Sequence, residues 1–380
     1  MNRVYQDIMN YKEDYKLIFV AACRVSDHYI YASSDAFNGL FKVDINTKEC
    51  EFVDVFPGEK LDEEHLFFSA CCCEKKVFFS PQRAKSIHVY DLITHEFTII
   101  DIRVDAYRAY NREYKFGDIF CIDHEVYCIG AHYPAIIQIN TSDLSTQYYE
   151  IYSDNNFLFR KAAYIPEENS IYAISCKSNI LMKFDVYSKC VEIINMPENF
   201  HGSWNIATSE DGIWCSPRSF GDPFIKYDFR NNEFCIIPYS IEEKEITNDK
   251  ALFLYSFFHD GIIYSIPQGA PSIVRIDVEK KILQTCKLNI KELQEEIGYC
   301  FRDREFIYYE KKTKEGGFLD QDTIDTYRID TSRLVLEKFA FTFSNWEEYL
   351  HSISELKVSL ISNENIDNQL GDLICWIKLG

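Results

Sequence analysis

No segment of this 380-residue chain approaches the roughly 20 uninterrupted apolar residues that cross a bilayer, so no membrane span is expected. The opening "MNRVYQDIMNYKEDYK" has no apolar run suited to a signal peptide. There is no Cys-x-x-Cys pair, no Gly-rich phosphate loop, no His-Glu-x-x-His and no serine elbow, which removes the common sequence signatures of redox, nucleotide, zincin and hydrolase chemistry. Basic residues are scarce, 40 against 60 acidic, and the resulting net charge of −20 repels a phosphate backbone or an anionic membrane on average. Nucleic acid is not an expected partner. The 14 cysteines are spread along a large chain, so the expectation is a cytoplasmic protein with free thiols.

Glycine (14), proline (10) and methionine (4) are few, whereas 26 tyrosines and 29 phenylalanines point to strands. These aromatics recur in a pattern. An apolar-aromatic pair followed by Asp or Asn stands at Ile30-Tyr31 with Asp44, Val77-Phe78 with Asp91, Val126-Tyr127 with Asn140 and Ile171-Tyr172 with Asp185. It continues at Ile213-Trp214 with Asp228, Ile263-Tyr264 with Asp277 and Ile307-Tyr308 with Asp330. From aromatic to Asp or Asn the interval is 13 in five units, 14 in the fifth and 22 in the seventh.

Each unit reads as four short strands: a small-residue strand ("FVAACRV", "KAAYIP"), one carrying the pair, one ending in the aspartate ("ILMKFDV"), and a fourth after a turn ("CVEIINM"). Small residues such as Ala21-Ala22, Ser69-Ala70, Ala162-Ala163 and Ile206-Ala207 suit a strand lining a narrow axis. The aspartate suits the first position of a type I turn, where its carboxylate accepts amides ahead. Asp-to-Asp periods of 43 to 53 residues match a four-stranded propeller blade. The sequence therefore predicts an all-β, seven-bladed β-propeller over residues 1–343, with blades at about 18–56, 66–103, 115–152, 157–197, 201–240, 251–288 and 298–343. Residues 344–380 read as a helical tail packed on it: Ser344 with Glu347 makes a capping box, and Ile366, Leu370, Leu373, Ile374 and Ile377 recur at helical spacing.

The units resemble kelch-like repeats, and "HGSWNIATSEDGIW", His201 to Trp214, is similar to a hairpin of the streptogramin B lyase family of seven-bladed propellers. That resemblance implies a propeller whose functional face carries His201. In the family, a metal ion and a histidine on one face open a cyclic depsipeptide at its ester.

In such a fold the loops from second to third strand, and from the fourth strand to the next blade, open on one face around the channel mouth, where ligands commonly bind. Ser80-Pro81-Gln82-Arg83 and Ser216-Pro217-Arg218 would put guanidinium groups there, either to bind an anion or to pair with Asp35 or Asp222. The other ligand-binding candidates are Arg24, Arg160, Trp204, Asn205, Tyr133 and Tyr255; the catalytic candidates are His201, His132 and Asp222, although a lone histidine at a strand end is more often a satisfied surface residue than a base or ligand. The long seventh-blade loop, 310–323, reads as a lid or as surface decoration.

Two functions follow as expectations. One is a monomeric binding scaffold, without cofactor, that takes a peptide, glycan, anionic small molecule or protein partner at the mouth, as an accessory to a biosynthetic or modifying enzyme. The other is a divalent-metal-assisted lyase or hydrolase on the same face. What separates them is whether acid, base and metal-ligand groups converge on one point.

Overall fold

The computed structural model describes residues 19–103, 114–151, 157–241 and 251–286 apart from single positions 36, 62, 268 and 271. Beyond them it describes the backbone strands at 297–302, 306–314, 322–330, 335–338 and 342–343. The expected helical tail and residues 1–16 lie outside these.

The chain is an all-β propeller. Six successive four-stranded antiparallel sheets are built in chain order, as in Phe159–Ile165, Ser170–Ser175, Ile180–Asp185 and Val191–Asn195. The first strands, Phe19–Arg24, Phe67–Cys73, Phe116–Ile122, Phe159–Ile165, Ile206–Ser209 and Phe253–His259, each lie beside the next and so surround a common axis. Four further backbone strands, from Ile297–Arg302 to Val335–Lys338, pair in the same order. Ile297–Arg302 lies beside both Phe253–His259 and Phe19–Arg24. Thr342–Phe343 runs parallel to the outer strand Glu49–Asp54 of the first sheet. The extra length of the last hairpin continues its ladder, pairing Lys314 with Asp322, while residues 315–321 lie outside the description.

The repeated aromatic of the second strand is the sheet-to-sheet packing element. Phe78, Tyr127, Tyr172 and Trp214 are buried, and the clusters they join cross from one sheet to its neighbour, as when Tyr172 packs with Ile213, Ile225 and Tyr227. Burial of each such ring stabilises the fold by about 2 kcal/mol or more.

The repeated Asp or Asn organises the opposite face. Asp44, Asp91, Asn140, Asp185 and Asp228 each accept, through Oδ1, the amide two residues ahead at 2.8–3.0 Å. The residue four ahead is left-handed in these five turns, at Lys48, His95, Leu144, Lys189 and Asn232, and likewise at Lys281, four after Asp277, all with φ between 56° and 65°. A local Asx bond and one left-handed residue thus close each outer hairpin.

One expectation about thiols is corrected. Cys73 and Cys121 form a disulfide between the first strands of the second and third sheets, with Cα atoms 5.7 Å apart. The two residues are 48 positions apart, one repeat, which brings them to the same level of adjacent strands. Cys71 and Cys72 are free.

Candidate functional site

The inner strands do not meet their partners evenly at the mouth end. In the second sheet the register jumps from Phe67↔Pro81 to Ser69↔Ser80, and in the fourth from Phe159↔Ser175 to Lys161↔Ile174. Phe68 and Arg160 are therefore the extra residues of β-bulges, which turn side chains out of the normal alternation. The third sheet has its irregularity at Gly117-Asp118, between Phe116↔Gly130 and Ile119↔Cys128. A Cβ on Gly117 would lie 2.4 Å from the Phe159 carbonyl oxygen, so the two inner strands approach at a distance only glycine permits. The neighbouring Asp118 carboxylate accepts the Ala162 amide at 2.9 Å and the Lys161 ammonium at 2.9 Å.

These bulges assemble a cation among rings. The Arg160 guanidinium carbon lies 4.4 Å from the Trp204 ring, 5.0 Å from Phe68 and 5.1 Å from Tyr114, rings brought by three other sheets or their entry loops. Beneath them Ala131, Leu158 and Cys176 form a small buried cluster against which Tyr114 and Trp204 pack. Among the described residues no carboxylate pairs with Arg160.

Trp204 is positioned by the "HGSW" segment. Gly202 has φ +111°, and a Cβ there would come within 2.8 Å of the Cys176 carbonyl carbon and the Ser175 oxygen. The Ser203 amide donates to Ser175 O at 3.0 Å, which pins the loop across the fourth sheet. Arg218 reaches the same place from the fifth sheet, its Nη1 donating to the Cys176 carbonyl. Burial raises the pKa of the Cys176 thiol, and the charges of Arg160, Arg218 and Lys177 oppose that rise, so three cations surround this one turn. Three buried polar atoms nearby have no hydrogen-bond partner among the described residues: Trp204 Nε1, Asn205 Oδ1 and Ser216 Oγ.

On the same loops His201 Nδ1 lies 2.6 Å from Asp222 Oδ1, and the His201 amide donates to Asp222 Oδ2 at 3.4 Å. The carboxylate is 2% exposed and the imidazole 69% exposed. An ionised carboxylate only accepts, so the ring donates to it from Nδ1 and leaves Nε2 facing outward. A second pair of this kind joins His65 Nδ1 to Asp35 Oδ2 at 2.7 Å. The Asp35 hydrogen bond raises the His65 pKa against the effect of burial, and the charge of Arg83 acts in the lowering direction.

The candidates read from sequence divide accordingly. Arg160, Trp204 and Arg218 come together, whereas Asn205, next to Trp204 in sequence, is buried with its Nδ2 donating to Phe253 O of the sixth sheet at 2.9 Å. Asp35 and Asp222 each hold a histidine: His65 comes on the loop that leaves the first sheet for the second, and His201 on the loop that enters the fifth from the fourth. Arg83 lies beside His65, its amide donating to the His65 carbonyl at 3.1 Å. Arg24 is not at the mouth: it ends the first inner strand, and its Nη1 donates at 3.4 Å to Asp27 O in the turn on the opposite face. Tyr133 is buried, with its ring 4.7 Å from Phe116 and its hydroxyl donating to Arg103 O at 3.3 Å, so it is core and not a presented surface. Tyr255 is partly exposed on its inner strand, just past a bulge, and the His132 amide donates to Tyr114 O at 3.1 Å. Sequence reasoning missed Phe68, Tyr114, Cys176 and Lys177. The one usable signal was Phe68 standing immediately before a small inner-strand run.

Among the described residues no three His, Cys, Asp or Glu side chains come together to hold a metal ion. Among them, too, no helix is long and apolar enough to cross a membrane.

Comparison with known proteins agrees at the level of fold. The chain is similar to virginiamycin B lyase from Staphylococcus aureus, with TM-score 0.57 and 14% identity over 76% of this chain and 91% of that one. It is similar to YCF48, solved bound to D1 peptide, with TM-score 0.57 and 12% identity over 83% and 93%. BamB from Moraxella catarrhalis gives TM-score 0.53 and 12% identity over 83% and 84%. No protein-family model and no curated protein sequence matches the chain. At such identities the likeness is one of architecture, and these neighbours include both a lyase and a protein solved with a peptide.

Proposed function

We propose that this protein is a seven-bladed, kelch-like β-propeller that works as a binding scaffold, taking a peptide, glycan or anionic small molecule at its channel mouth. The observation that carries this reading is the cluster of Arg160, Trp204, Phe68 and Tyr114, a cation and three aromatic surfaces drawn from separate sheets. Aromatic faces and a guanidinium are binding chemistry; they provide no nucleophile and no base. The seventh blade is supported by the adjacency of Ile297–Arg302 to the inner strands on both sides of the gap. A net charge of −20 favours a partner other than nucleic acid or an anionic membrane.

A metal-assisted lyase or hydrolase is the second reading, favoured by the His201–Asp222 pair and its exposed imidazole. Thermal-shift measurement against divalent metals, anionic sugars, nucleotides and short peptides separates the two. Binding at the mouth predicts a rise in melting temperature with an organic ligand that Trp204→Ala abolishes. A rise with metal alone, lost in His201→Ala, overturns it in favour of the lyase.

A further inference from the structure

The chemistry of the Arg160 site narrows the ligand. Three rings stand around the guanidinium and hold it by cation–π contact, which restricts its motion before any ligand arrives. Those contacts leave its N–H donors unspent, since none of them reaches an acceptor among the described residues. A guanidinium offers two parallel N–H bonds that match a carboxylate. In a chain carrying 60 acidic residues, a cation that meets no carboxylate among the described residues is suited to one supplied from outside. Lys177 and Arg218 add positive potential at the same turn. The average field of −20 opposes a phosphate dianion about twice as strongly as a single carboxylate.

Beside the cation the polar requirements alternate. Trp204 Nε1 is a buried donor and Asn205 Oδ1 a buried acceptor, on consecutive residues and neither with a partner among the described residues, and such atoms are rarely left unsatisfied. A peptide backbone supplies one acceptor and one donor per residue. Phe220, 51% exposed between Arg218 and Asp222, adds an apolar surface on the same rim. We propose that the mouth between the third and fifth sheets is a receptor for a peptide carboxylate, with Arg160 binding the anion and the 204–205 segment bonding the adjoining main chain. This rests on the reading of the mouth as a binding face.

The test uses the full chain immobilised and three pools of random octapeptides: one without Asp or Glu but with free C-terminal carboxylates, the same pool amidated, and an amidated pool containing Asp and Glu. Retention of the first pool over the second, lost in Arg160→Gln, supports a C-terminal carboxylate. Retention of the third over the second, again lost in Arg160→Gln, supports a side-chain carboxylate. Retention at least tenfold above the amidated, acid-free pool is expected in one of these arms. Equal retention of all three pools, abolished by Trp204→Ala, overturns the carboxylate assignment while the binding face stands. Retention of no pool, with tryptophan emission moved by oligogalacturonate in the wild type but not in Trp204→Ala, overturns it in favour of an acidic glycan. Retention of no pool and no response to any sugar overturns both. Unchanged melting temperatures of the two variants without ligand show that they remain folded.

Discussion

On one face of this propeller five turns obey one rule, with Asp44, Asp91, Asn140, Asp185 and Asp228 accepting the amide two residues on. On the other face neighbouring loops differ: the position that is Asp35 in the first sheet is Gln82, Ala131, Cys176 and Arg218 in later ones. On the turn face each outer hairpin is closed by bonds between residues at most four apart, and cross-sheet bonds such as Thr141 to Glu74 are added to a closure that is already complete. The mouth is closed by bonds between sheets, such as Ser203 to Ser175, Arg218 to Cys176 and Asp118 to Ala162. Local closure can be copied along the chain without regard to surroundings, whereas a site needs unlike neighbours, so chemistry collects where the repeat is broken.

The largest effect is expected where the mouth depends on a close approach between sheets. Gly202→Val places a Cβ against the Cys176 and Ser175 backbone at a φ of +111° and is expected to lower stability by more than about 3 kcal/mol in urea unfolding. Gly221→Ala is the control on the same face: φ is +85° but nothing lies within 4 Å, so only the backbone cost of about 1 kcal/mol is expected. Equal losses in the two variants would show that Gly202 matters for its dihedral alone.

The two faces are also expected to respond oppositely to pH. Asp91 is held below its ordinary 3.8 by the Ile93 and Thr94 amides, and Asp185 by those of Ser188 and Tyr187. Their contribution is complete above the ordinary carboxylate value and is lost as pH falls through the lowered folded values. His65 is raised above 6.5, chiefly by its bond to Asp35, so its contribution is complete below that value and lost as pH rises through the folded one. Asp91→Asn should keep the turn, as Asn140 does in the third unit, and reduce only the acid-side slope of stability; His65→Gln should flatten the limb above pH 6.5. Both are read from urea midpoints between pH 3 and 9, and a His65→Gln curve parallel to wild type would remove the second assignment.

The smallest effect belongs to the turn face. Lys281 is exposed with φ 56°, a conformation that asparagine tolerates better than lysine, so Lys281→Asn should stabilise by about 0.5 kcal/mol. A loss of stability would mean that the lysine side chain, and not its backbone, matters there.

Wherever the cause was local, the sequence was sufficient. The interval from Trp214 to Asp228 is read correctly as a buried strand aromatic and a turn carboxylate, because strand alternation and an Asx bond involve only near neighbours. Arg160 and Phe68 were harder: a bulge adds a residue without marking it in composition, and both owe their place at the mouth to one. Arg24 and Tyr133 look like rim residues in sequence, yet one sits at the far end of its strand and the other in the core.

The sequence by itself determined the repeat, the strand class and the chemistry of each turn, since these follow from side-chain period and from bonds spanning two to four residues. Only the tertiary structure decided which side chains meet at the mouth. Arg160, Trp204, Phe68 and Tyr114 are separated by tens of residues along the chain, and only the packing of inner strands around one axis brings them within 4.4 to 5.1 Å.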